Sequence, residues 1–189
     1  MSKEYTIYCD ESISKGEYYS DFYGGCIIET KNISMVNDAL SNIKESRHLN
    51  AELKWTKVTK NHLDKYKEFI SEFFKYIFDG TIKFRIMFRQ NAYEPVGLTT
   101  EQKANGYFLL YYQFIKHAFG LRFSNPDNVS VFLRTYFDEL PENPEKKELF
   151  KNHIYAIQSL PEFEKANIKI RRRDIADINS ERFKRKSST

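Results

Sequence analysis

The chain has 189 residues, 41% of them hydrophobic, with 16 Phe and 13 Tyr against 7 Gly and 5 Pro, which excludes low-complexity and disordered classes and supplies one core. No apolar run approaches the roughly 20 residues that span a bilayer. The start, Met1-Ser2-Lys3-Glu4-Tyr5-Thr6, enters a strand-like segment without the apolar stretch of a signal peptide, so a cytoplasmic protein with no membrane partner is expected. The net charge of +4 is uneven: from Lys165 onward nine basic residues stand against three acids, a balance of +6, which leaves −2 for the 164 residues before it. Such an end suits a polyanion, because Lys and Arg release counterions from a phosphate backbone; a solvated edge strand with a frayed tail is the alternative.

Residues 4–10 alternate Tyr5, Ile7 and Cys9 with Glu4, Thr6 and Tyr8, the period of a strand. The turn-rich Ser14-Lys15-Gly16-Glu17 then leads to an aromatic and β-branched segment at 20–29, which predicts a hairpin, and its Gly24-Gly25 pair predicts close backbone approach or a bulge. Cys9 and Cys26 sit in these segments and read as buried, reduced thiols without a metal. Helical spacing follows from Ser34 (Met35, Ala39, Leu40, Ile43) and again over about 59–78, ending at Asp79-Gly80. Ile82, Phe84, Ile86 and Phe88 alternate with Lys83, Arg85, Met87 and Arg89 in a strand whose polar face is basic. Residues 101–120 predict a mostly buried helix closed near Gly120, with the aromatic run at 106–114 reading as core. Residues 129–137 predict a buried strand, Pro144 opens a helix to about Ser159, and Ile168 and Ile170 alternate with Lys169 and Arg171 in a basic, edge-like strand. The order predicts one α/β domain over 1–189, a mixed sheet of about five strands flanked by helices, with a basic C-terminal strand and tail from about residue 165.

Two acidic pairs occupy the same kind of place: Asp10-Glu11 after the first strand and Asp138-Glu139 after the fourth. If those strands are adjacent and parallel, the carboxylates converge at a strand end, where α/β sheets collect their sites, and a shared Mg²⁺ or Mn²⁺ is the cheapest way to tolerate them. Each pair alone reads more simply as a turn or cap. Glu52 in Ala51-Glu52-Leu53-Lys54-Trp55 is a third candidate ligand, with Lys54 placed to face phosphate; the plainer alternative leaves Glu52 and Lys54 exposed while Leu53 and Trp55 pack. The four histidines lack paired spacing, and no phosphate-binding glycine loop is present, which argues against zinc hydrolases, Ser-His triads and common nucleotide cofactors.

Taken in order, Ile7-Tyr8-Cys9-Asp10-Glu11-Ser12, the Gly24-Gly25 strand, Glu52-Leu53-Lys54 and the strand ending in Asp138-Glu139 resemble the domain-of-unknown-function family numbered thirty-eight hundred, placed among the RNase H-like folds. The resemblance covers nearly the whole chain, and its Asp-Glu-Ser strand is its most specific part. It implies an RNase H-like sheet and a metal-dependent nuclease in which Asp10, Glu52 and Asp138 hold two Mg²⁺ or Mn²⁺ ions. One ion would activate water and the other would stabilise the leaving oxygen of a DNA or RNA phosphodiester. Glu11 and Glu139 are then accessory ligands or a base, and Lys54 or Arg171, Arg172 and Arg173 position phosphate. The pattern departs at the C-terminus, where the family's counterpart of Ile178-Asn179-Ser180 precedes a helix carrying a Gln and a further Asp. Here nine residues follow Ser180, with Glu181 their only acid. The family's final helix is thus expected to be missing, with Asp174 or Asp177 as substitute ligand or the site left incomplete. Three functions follow in order: the nuclease; a nucleic-acid- or partner-binding protein with a degenerate site, using the basic end; and a structural subunit in which the acids cap turns. An uncovered final strand is also expected to offer its edge to a second copy.

Overall fold

The computed structural model of the chain describes residues 2–93, 96–100, 102 and 105–178, with the backbone alone for 13–15. The expected α/β class holds: a five-stranded mixed sheet flanked by helices, in the order β3-β2-β1-β4-β5. The strands are β1 (Lys3–Lys15), β2 (Tyr19–Glu29), β3 (Ile82–Gln90), β4 (Val131–Phe137) and β5 (Ile168–Asp177). The helices are α1 (Ile33–Ser46), α2 (Leu63–Phe78), α3 (Gly106–His117), α4 (Pro144–Ala156) and the short α5 (Pro161–Lys165). No helix among the described residues is long and apolar enough to cross a membrane.

The chain divides into two compact units, 28–83 and the remainder. In the larger unit, β1 runs parallel to β4 and β4 parallel to β5. Three residues connect β1 to β2, and a connection this short admits only an antiparallel return, the expected hairpin. Its core lies between the sheet and α3, α4 and α5, where Ile7, Cys9, Leu133 and Phe137 of the strands meet Phe108, Tyr111, Phe114 and Phe150 of the helices. The spacing of Phe108, Tyr111 and Ile115 puts all three on one side of α3, so the aromatic run is core as read from the sequence. Asn143 caps α4, its side-chain oxygen accepting from the backbone of Glu145 and Lys146 at 2.9 and 3.1 Å, and Pro144 occupies the first turn. Both cysteines are free, and burial pushes the Cys26 thiol up to about 11.

In the smaller unit α1 packs on α2, and the Arg47 guanidinium meets the Glu68 carboxylate at 2.6 Å. Val36 of α1 and Leu49 beyond it are buried. Gly80, at φ +81°, takes the left-handed conformation that closes α2 as expected.

The boundaries differ in places from the periodicity. Helix α2 begins at Leu63 rather than 59, because a turn closed by the His62 N–H on the Thr59 carbonyl at 3.0 Å occupies the residues before it. Helix α3 begins at Gly106, after helical backbone at Thr100 and Gln102 and a turn at Asn105; residues 101, 103 and 104 lie outside the described residues. Strand β4 begins two residues late, since Asn128 sits at φ +48° and its neighbours belong to a loop. Helix α4 tightens into a 3₁₀ turn at Ile157–Ser159, and α5 follows from Pro161, where the periodicity predicts no element. Strand β3 lies at a sheet edge, and Phe84, Ile86 and Phe88 all keep substantial exposure in spite of their alternation.

The glycine pair does mark a close approach. A Cβ on Gly25 would stand 2.7 Å from the Tyr8 carbonyl oxygen and 3.0 Å from the Phe114 ring. Gly25→Ala therefore forces β1 and β2 apart or displaces Phe114, and a loss of about 1–3 kcal/mol in urea unfolding is expected.

Candidate active site

Residues Lys3 to Cys9 pair in register with Val131 to Phe137, and the Asp138 N–H extends that ladder by donating to the Cys9 carbonyl at 3.1 Å. Asp10 and Asp138 are thus the next residues on neighbouring parallel strands. The first of the two sequence expectations needs a correction: Asp10 is not at the end of its strand. Strand β1 continues to Lys15 because β2 still offers it a partner after β4 has stopped, so only the β1 to β4 pairing ends beside Asp10.

Strand alternation sorts the four acids by face. Ile7, Cys9 and Glu11 share the side covered by α3, whereas Tyr8 and Asp10 share the other. Along β4, Phe137 lies in the core while Tyr136 and Asp138 take the opposite side. The Tyr8 and Tyr136 rings stack with centroids 5.6 Å apart, directly before Asp10 and Asp138. Asp10, Asp138 and Glu139 are exposed, and Glu11 is half-buried.

Glu11 belongs to a hydrogen-bonded layer beneath the aspartates. The Tyr111 hydroxyl donates to its carboxylate, and the Tyr107 hydroxyl reaches the same group while also donating to the Glu139 carbonyl at 3.2 Å. Tyr107 so ties β1 to the turn that carries Asp138. The sequence reading assigned both tyrosines to the core and missed this. The available signal was Tyr rather than Phe on a buried helix face, since a buried phenol needs a hydrogen-bond partner.

Burial raises the Glu11 carboxyl above its ordinary range; the two tyrosine hydrogen bonds pull it down, and the charges of Asp10 and Asp138 push it up. A carboxyl raised on folding binds its proton more tightly in the folded than in the unfolded chain. Its contribution to stability is fully present below the ordinary carboxylate value and is lost as pH rises through the higher folded value. Glu11→Gln, which can still accept from Tyr111, should flatten that part of the stability curve, as urea unfolding between acid and neutral pH will show.

On the other side of β4, Phe137 pairs with Asp177, and the Ile178 N–H donates to the Phe137 carbonyl at 2.7 Å. Asp177 therefore lies at the same end of the sheet. Burial alone would raise its carboxyl, but the hydrogen bond from the Lys147 ammonium at 3.2 Å holds it below the ordinary range. Asp174 lies elsewhere, in an irregular stretch where β5 passes from Ile170 to Ile175 while β4 passes only from Leu133 to Thr135. It faces Arg134 and Arg173, each at 3.9 Å. Of the two suggested substitutes, Asp177 alone sits beside the strand ends. Asn179, Ser180, Glu181 and the basic tail lie outside the described residues.

The three arginines fall in that same irregular stretch of β5. Arg171 lies over the Phe132 ring at 4.3 Å and pairs with Glu4 at 3.4 Å, and Arg172 pairs with Glu148. Arg173, whose side chain is 80% exposed, is the most exposed of the three and lies 3.9 Å from Asp174.

Glu52 and Lys54 belong to the smaller unit. They are exposed and paired with each other at 3.0 Å, ahead of a 3₁₀ turn at Trp55–Lys57. Trp55 does not pack as expected; it is exposed too.

Among the described residues, no three His, Cys, Asp or Glu side chains come close enough to enclose a metal ion. Asp10 and Asp138 nevertheless fit Mg²⁺ or Mn²⁺ in one respect: Mg²⁺ commonly takes one or two carboxylates and completes its shell with water and substrate phosphate. No protein-family model matches the chain, and no curated protein matches it.

Proposed function

We propose that the protein is an RNase H-like, metal-dependent nuclease that hydrolyses phosphodiester bonds of DNA or RNA. The observation that carries this reading is the parallel register that sets Asp10 and Asp138 side by side at one end of the sheet. The resemblance of Asp10-Glu11-Ser12 and Asp138-Glu139 to the thirty-eight-hundred family supports it. Asp10 and Asp138 would hold Mg²⁺ or Mn²⁺, which when bound supplies charge for the departing oxygen and lowers the pKa of water. The residues themselves do the rest. Tyr107 and Tyr111 fix the layer beneath by holding Glu11 and the Glu139 carbonyl, and Arg173 offers its guanidinium to phosphate. The resemblance would add Glu52 as a ligand in the two-ion form of the chemistry, and loss of cleavage in Glu52→Gln tests that role. A second copy pairing along the edge of β5 belongs to the same proposal, and sedimentation would detect it.

A second reading, a binding protein with an incomplete metal site, draws on the absence of a three-residue ligand group among the described residues. Labelled single- and double-stranded DNA, RNA and hybrid, incubated with Mn²⁺, Mg²⁺ or EDTA, separate the two. Cutting that EDTA abolishes is the expected result. Retained binding without cutting on any substrate would favour the second reading.

A further inference from the structure

Tryptophan is a large apolar side chain that proteins mostly bury. The one Trp of this chain, Trp55, is 88% exposed. It opens the 3₁₀ turn Trp55–Lys57, whose backbone is fixed by the Lys57 N–H on the Lys54 carbonyl at 3.0 Å and the Val58 N–H on the Trp55 carbonyl at 3.1 Å. Lys54 precedes the turn in extended backbone and Lys57 closes it, and both are exposed next to the exposed indole along the chain. Lys60 follows, also exposed, and no acid falls between residues 54 and 60. Glu52 meets this group through Lys54 at 3.0 Å.

A flat exposed ring among ammonium groups matches a strand of nucleic acid with unpaired bases: one base stacks on the ring while neighbouring phosphates meet the lysines. A bilayer surface suits it less well, because interfacial binding grows with contiguous apolar area and the residues around the indole, Lys54, Thr56 and Lys57, are polar. We propose that the Trp55 turn is a stacking contact for single-stranded nucleic acid. The inference goes beyond the hydrolytic reading and requires binding alone.

The whole chain, in EDTA so that nothing is cut, is titrated with short homothymidine and homouridine strands while the emission of its single Trp is followed. Saturable quenching is expected, with weaker response to a duplex. Anisotropy of a labelled strand should then show Trp55→Ala binding about tenfold more weakly, the range of one lost base stack, with Trp55→Phe retaining most of the affinity. Lys57→Ala should lower the slope of log affinity against log salt by about one. Because Trp55 is exposed, these variants should keep the parent's far-ultraviolet circular dichroism. The inference is overturned if the strand binds without changing Trp emission, if Trp55→Ala binds as tightly as the parent, if no strand binds, or if only phosphatidylserine vesicles change the emission. Quenching without cleavage in the metal panel would leave this contact standing and remove the nuclease reading.

Discussion

Asp10→Ala and Asp138→Ala should each lower metal-dependent cleavage by more than about a hundredfold, beyond the ten- to hundredfold typical of residues that only support a metal ligand. Both side chains are exposed at neighbouring positions just past the last β1–β4 pair, so neither substitution opens a cavity. Stability should move the other way from activity. Removing one negative charge relieves its neighbours, and the Glu11 carboxyl, raised by burial first and by Asp10 and Asp138 in addition, should titrate lower in either variant. Urea unfolding at neutral pH should therefore find Asp138→Ala at least as stable as the parent, and Asp10→Ala still cooperatively folded. A variant that loses activity and stability together would instead make the aspartates turn-forming residues.

Phe150→Ala should be the most damaging single truncation in the core. Phe150 is fully buried on α4, and its ring lies 4.8 Å from Phe137, 5.3 Å from Phe108, and 5.8 Å from both Tyr107 and Tyr111. It thus joins α3 to the end of β4 and backs the two tyrosines that hold Glu11 and Glu139. Truncating a buried Phe costs about 3–5 kcal/mol, a large part of the roughly 5–15 kcal/mol that holds a domain folded. The urea midpoint should fall accordingly. A loss below about 1 kcal/mol would show that the core repacks around the gap, contrary to the usual range for such truncations.

Much of the architecture is legible in the residues because it depends on local period. The strands at 4–10 and 82–88 show it in their alternation, that at 20–29 in its aromatic and β-branched content, and the Asn143-Pro144 start of α4 shows it in cap chemistry. The parallel partnership of β1 and β4 is legible only as a condition, since pairing is non-local; the structure meets it. Strand β1 outruns the alternation because β2 supplies hydrogen-bond partners that no local pattern announces. The roles of Arg171 and Arg172 were hidden for a similar reason. Their sequence reads as free basic charge, but Glu4 and Glu148, far away in the chain, meet those charges. Lys147 on Asp177 is another long-range pair of that kind. Tyr107 and Tyr111 were half legible: their burial follows from helical spacing, whereas their grip on Glu11 depends on which strand lies beneath α3.

The account rests on Asp10 and Asp138 forming a cation-dependent hydrolytic pair. The most direct test measures cleavage of single-stranded DNA and RNA in Mn²⁺ by the parent and by Asp10→Ala side by side, after both give the same unfolding transition. The account predicts cutting by the parent that EDTA stops, and none above background by Asp10→Ala. Equal cutting by the two proteins, or none by the parent in either metal, would contradict it.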